Sequence, residues 1–147
     1  MKVVIQRVAR AEVRVDGGTV GAIGAGLLCL VGLERGDGPD EIDRAARKIA
    51  GLRVFSDDAG RMNRDLGDVG GRVLAVSQFT LAGSIRKGRR PSFDRAMAGP
   101  DAEPCFETFV ERLRSLGVEV DTGVFGAMME VELVNDGPVT LIWDSDH

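Results

Sequence analysis

The chain has 147 residues, 44% of them hydrophobic and 29% charged, enough to bury one sizeable core and too few for two ordinary domains. Its formal net charge of −4 argues against indiscriminate attraction to nucleic acid, which calls for a basic footprint. Two cysteines without metal or disulfide spacing, and one histidine that is the last residue, exclude histidine-rich zinc sites and argue against Ser-His-Asp or Cys-His catalysis.

From the amino end, Val3, Ile5, Val13 and Val15 alternate with polar residues and are followed by Asp16-Gly17-Gly18, so residues 2 to 23 are expected to form strands joined by a hairpin-like turn. The same stretch has neither the apolar run nor the cleavage site of a signal peptide. Residues 27 to 33 are continuously apolar and short, the pattern of a strand buried on both faces. Pro39 at a first helical position, Asp40 and Glu41 in the first turn, and Ile42, Ala45, Ala46 and Ile49 at helical spacing predict a helix closing near Gly51.

A strand around Leu52 to Phe55, a region rich in Gly, Asp and Asn, and a strand from Val73 into Gln78 and Phe79 come next. A second helix is expected to open at Pro104, with Phe106, Phe109, Val110, Leu113 and Leu116 as its apolar stripe and Gly117 at its end. In the tail, Met129, Val131 and Leu133 alternate with Glu130 and Glu132, and Val139 to Trp143 form a last strand after the turn Asn135-Asp136-Gly137-Pro138. Strands and helices without strict alternation predict an α/β fold, a mixed, barrel-like layered sheet with two main helices, in a single domain spanning residues 1–147. No segment approaches the roughly 18 apolar residues of a membrane span, so a cytosolic protein without a membrane partner is expected.

The glycines at 17, 18, 21, 24 and 26 give GxxGxG spacing without GK[ST] or a helix-opening GxGxxG, and are read as turns. An enzyme built from this chain must therefore work through positioning, backbone dipoles or a group carried by the substrate, and no cofactor or metal is expected.

Two segments stand out. In Ser77-Gln78-Phe79-Thr80 an apolar strand runs abruptly into polar residues and then into the loop SIRKGRRPSF, a change of character compatible with function on a rigid support or with an ordinary strand end. Thr80 has no basic partner in sight, so its hydroxyl is assigned a hydrogen-bonding role, while nearby backbone N–H groups offer an oxyanion hole that needs no titratable group. Asn135 to Thr140 contains Gly137-Pro138, whose peptide bond is open to either isomer on sequence grounds. A rigid backbone edge there would discriminate chirality by sterics, admitting a hydrogen at the α-carbon and refusing a misdirected side chain.

Taken together, VVIQRV, VSQFTLAG, GRRPSF and TGVFGAMMEVELVNDGPVT resemble the D-aminoacyl-tRNA deacylase family over essentially the whole chain. The resemblance implies that family's fold and a homodimer with active sites at the subunit interface. Each site would combine Ser77, Gln78, Phe79 and Thr80 of one subunit with Gly137 and Pro138 of the other, the latter pair joined by a cis bond. It further implies that Arg7 fixes the Gly-Pro loop and that Phe125 and Met129 lie near the terminal adenosine of tRNA. Water would cleave the ester, helped by the 2′-hydroxyl of the terminal ribose, with the Phe79 and Thr80 amides holding the carbonyl oxygen. L-aminoacyl esters would be refused, whereas glycine, including glycine on alanine tRNA, would be accepted.

The cluster Arg86, Lys87, Arg89 and Arg90 then faces tRNA phosphates, or is simply a solvated turn. Two other readings compete: a noncatalytic RNA-binding or dimeric scaffold, and an esterase with Thr80 or Ser77 as nucleophile.

Overall fold

The computed structural model describes every residue from Met1 to His147. β1 (Lys2–Val15) and β2 (Gly18–Ile23) form an antiparallel hairpin. Its turn places Asp16 at φ 49° and Gly17 at φ 80°, the paired left-handed conformations that match the twist of the flanking strands. β3 (Gly26–Gly32) returns antiparallel to the first half of β1. Its run is buried on both faces: Leu27, Cys29 and Val31 enter one apolar cluster and Leu28 the other, which is why no polar residue interrupts it.

α1 (Pro39–Ala50) starts on Pro39, and the Glu41 carboxylate accepts the Gly38 N–H at 2.8 Å. After it come β4 (Phe55–Ser56), β5 (Met62–Arg64) and the short α2 (Leu66–Val69). β6 (Arg72–Ser77) pairs parallel to β3, and β7 (Val120–Thr122) pairs parallel to β6. The sheet order is β2-β1-β3-β6-β7. The Ala22 N–H of β2 donates to the Asp121 carboxylate of β7 at 3.1 Å, so the two edges meet and the sheet curls into a nearly closed barrel.

α3 (Gly99–Ser115) lies beside α1 over the larger core, burying Ala102, Phe106, Phe109, Val110 and Leu113 against the α1 residues Ile42, Ala45, Ala46 and Ile49. Fully burying Phe109 contributes on the order of 2 to 3 kcal/mol. The smaller core, with Val8, Val13, Ile23, Leu74 and Val76, fills the inner face of the curled sheet.

The structure corrects the expected elements in several places. α3 begins at Gly99, with Pro100 in its first turn and Pro104 inside the helix. Pro104, one turn further in, gives up a backbone bond to the preceding turn, and the helix continues through it to Ser115. The short α2 adds a third helix to the two expected. The strand expected at Leu52 shrinks to Phe55–Ser56, and β6 stops at Ser77, with Phe79–Ala82 forming a 3-10 turn instead. The tail is one strand, β8 (Glu130–Asp144), because both of its halves pair antiparallel to β1. The expected turn at Asn135 to Pro138 is a bulge within it.

The two helices are linked through Asp43, whose carboxylate accepts from Arg112 Nε at 2.6 Å and from Arg47 Nε at 2.8 Å. The Arg47 bond first, and then that of Arg112, hold this carboxyl below its usual range. A depressed carboxylate stabilises the fold above the unfolded-chain value and loses that contribution as pH falls through the folded one. Asp43→Asn is therefore expected to lower the melting temperature at neutral pH and to converge with the parent chain in strong acid. Melting curves of both proteins across that range test it.

Candidate functional site

The parallel ladder continues one bond past β6, with the Gln78 N–H donating to Val31 O at 2.7 Å, and there the chain turns. Gly32 makes the turn possible, since a Cβ at that position would stand 2.7 Å from Leu81 Cβ and 3.0 Å from Gln78 O. The first bond of the 3-10 turn runs from Leu81 N–H to Gln78 O at 3.2 Å. The N–H groups of Phe79 and Thr80 precede it and so have no acceptor within the turn. Gln78 Nε2 donates to Thr80 Oγ1 at 2.5 Å, and the exposed Phe79 ring meets the edge of Phe93 at 5.2 Å between centroids.

Ser77, Gln78, Phe79 and Thr80 line a cleft of about 630 Å³, together with Phe125 and Met129 from the segment between β7 and β8. Phe125 is braced by Phe106 at 6.2 Å between ring centroids. Two segments far apart in the chain, 77–80 and 125–129, thus meet in one cleft. Leu33, Met97, Ala102 and Val131 also line it, and none of them carries a functional signal in the sequence, because each resembles an ordinary core residue.

No lining residue is ionisable. Nor does a cysteine supply the missing nucleophile: Cys29 is fully buried and desolvation pushes its thiol up to about 12. The cleft offers hydroxyls, one amide side chain, backbone N–H groups and apolar surface. Such a set can bind, orient and polarise an acyl group, yet it cannot remove a proton by itself at neutral pH.

Arg7, Gly137 and Pro138 do not line this cleft within the same chain. The Gly137-Pro138 peptide is cis, and the pair sits exposed on the β8 bulge. Arg7 lies beneath it, donating through Nε to Asp136 O at 2.9 Å and through Nη1 to Val54 O at 2.5 Å. Val54 was not anticipated, since a backbone carbonyl leaves no mark in sequence.

Arg86, Lys87, Arg89 and Arg90 are all exposed, and none is ion-paired. Reciprocal Ser84–Ser92 backbone bonds of 2.8 and 2.9 Å pin the base of their loop. Because Phe93 packs on Phe79 and Met97 lines the cleft, this basic loop rises from the cleft's rim.

The family model described as D-Tyr-tRNA(Tyr) deacylase matches residues 4–144. A D-aminoacyl-tRNA deacylase of Symbiobacterium thermophilum is 56% identical over 146 residues, covering 99% of this chain and 97% of the relative. One of Chromobacterium violaceum is 58% identical with the same coverage. Among solved structures, the c-Myc DNA Unwinding Element Binding Protein superposes with a TM-score of 0.92 at 41% identity, covering 99% of both chains. A probable eukaryotic D-amino acid tRNA deacylase superposes at 0.84 with 17% identity over 97% of each chain, a likeness of fold.

Proposed function

The chain belongs to the D-aminoacyl-tRNA deacylase family, and from that premise we propose that it is a hydrolase of the ester bond in D-aminoacyl-tRNA, releasing free tRNA and the D-amino acid. The observation that carries this reading is a cleft of substrate size without one ionisable side chain. Ester hydrolysis of a charged tRNA can proceed there because the substrate brings its own hydroxyl beside the scissile bond.

In this reading the acyl carbonyl oxygen points at the Phe79 and Thr80 N–H groups, which stabilise the charge that develops on it. Water adds to the carbonyl carbon, helped by the 2′-hydroxyl of the terminal ribose. The bond to the ribose 3′-oxygen breaks, and that oxygen leaves with a proton. Thr80 hydrogen-bonds and does not attack. Phe125 and Met129 offer the terminal adenosine an apolar seat, and Arg86, Lys87, Arg89 and Arg90 on the rim meet tRNA phosphates in weak, salt-sensitive binding.

Chiral selection requires a wall that the cleft lacks within one chain. We assign it to Gly137 and Pro138 of a second copy, in a homodimer whose sites lie between subunits, with Arg7 fixing the donated tip. The exposed Phe79, Met128, Leu141 and Ile142 supply apolar surface for that contact. Such a wall faces the α-carbon, refuses L side chains and cannot refuse glycine, so glycyl esters, including glycine on alanine tRNA, are also substrates. A role in proofreading translation in the cytoplasm follows. No helix is long and apolar enough to cross a membrane.

The deciding measurement compares deacylation of D-tyrosyl-tRNA and L-tyrosyl-tRNA by the purified protein with chelator present. Rapid loss of the D-ester alone is expected. Binding of tRNA with neither ester cleaved would replace this reading with that of an RNA-binding scaffold.

A further inference from the structure

β8 does not run straight past β1. Gln6 faces Thr140 and Val8 faces Asn135, so Arg7 alone stands opposite the four residues Asp136 to Val139. Extra residues in one strand are extruded from the ladder, and here the extruded tip is the exposed Asp136-Gly137-Pro138. Without ladder bonds of its own, the tip takes its direction from the side chains at its base.

Arg7 holds one side. Asn135 holds the other: its Oδ1 accepts the Val139 N–H at 2.8 Å, and its Nδ2 donates to Val139 O at 3.2 Å and to Thr140 Oγ1 at 3.2 Å. Gln6 Nε2 reaches the same threonine hydroxyl at 3.3 Å. A planar amide is the side chain that can present an acceptor and a donor together, so Asn135 serves both backbone groups of Val139 much as a neighbouring strand would. Val139 is 8% exposed, and leaving its N–H and C=O unpaired would be costly.

We propose that Asn135 is a positioning residue for stereoselectivity: its amide clasp across the base of the bulge sets where Gly137-Pro138 points, and hence how strictly L esters are refused. This rests on the chiral-filter reading above. Neither Asn135 nor Val139 belongs to the two apolar cores, so loosening the clasp redirects the tip while leaving the fold in place.

The test measures D- and L-tyrosyl-tRNA deacylation by Asn135→Asp, Asn135→Ala and Gly137→Ala, together with melting temperatures. Asn135→Asp keeps the shape and the acceptor but replaces the donor with an anionic oxygen facing Val139 O. Both Asn135 variants are expected to lower the D-over-L rate ratio by about tenfold or more, with the fold retained and a melting temperature lowered only by the partners that Val139 loses. An unchanged ratio in both, while Gly137→Ala lowers it, overturns the clasp and leaves the filter standing. Parallel loss of D and L rates that tracks lost melting temperature assigns Asn135 a purely structural role and also overturns it. If Gly137→Ala leaves the ratio unchanged too, the filter falls, and the clasp with it.

Discussion

Gly137→Ala is expected to reduce kcat/KM for D-tyrosyl-tRNA by about a hundredfold, the loss that goes with misplacing a positioning group by roughly an ångström. Gly137 holds φ at +146°, and an added Cβ would stand 2.8 Å from Val139 N, 2.8 Å from Val139 Cγ2 and 3.3 Å from Arg7 Nη2. L residues rarely adopt that backbone conformation, and the nearest neighbour is backbone that the Asn135 bond already holds. The whole tip must therefore move, and with it the wall assigned to chiral selection.

Thr80→Ala removes only a hydroxyl that accepts from Gln78 at 2.5 Å, in a cleft with nothing to deprotonate it. Its loss should cost clearly less, and no acyl-enzyme should accumulate in either protein. Steady-state kinetics on the two variants decide the matter, and equal tolerance at both positions would remove Gly137 from the mechanism.

Gly26→Ala should cost about 3 kcal/mol or more of stability, among the severe effects expected of overpacking. Its Cβ would fall 1.9 Å from Arg72 O and 2.8 Å from both Arg72 C and Arg72 N. All three are backbone atoms of the strand paired with β3, so relief requires parting the β3–β6 ladder that carries Ser77 to the cleft. Gly24 is the control, because nothing lies within 4 Å of a Cβ placed there. Urea unfolding should show a large drop in midpoint for Gly26→Ala and little change for Gly24→Ala; coincident curves would contradict the clash.

Much of this arrangement is legible in the sequence alone. The run at 27 to 33 announces a doubly buried strand, Pro39 and its spaced apolar partners mark α1, and the change of character at Ser77 falls where the cleft lies, although by itself it fits an ordinary strand end equally well. What stayed hidden depends on pairing that sequence does not display. β7 is three residues long and earns its place only by lying beside β6. Asn135 to Pro138 has the composition of a reversing turn, and only pairing of both halves of β8 with β1 reveals a bulge. Pro104 reads as a helix start because its missing N–H is most easily tolerated there, yet Gly99 and Pro100 already begin the helix. Met97 and Ala102 reached the cleft through packing alone.

The absence of ionisable groups from the cleft also bears on how the molecule could be blocked. Electrophilic warheads work by capturing an activated serine, cysteine or lysine, and no such group faces this cavity. Cys29 is sealed inside the core and Cys105 lies outside the lining. A useful inhibitor must instead be a reversible mimic of the charged tRNA terminus, one whose ester is replaced by a linkage that water does not cut.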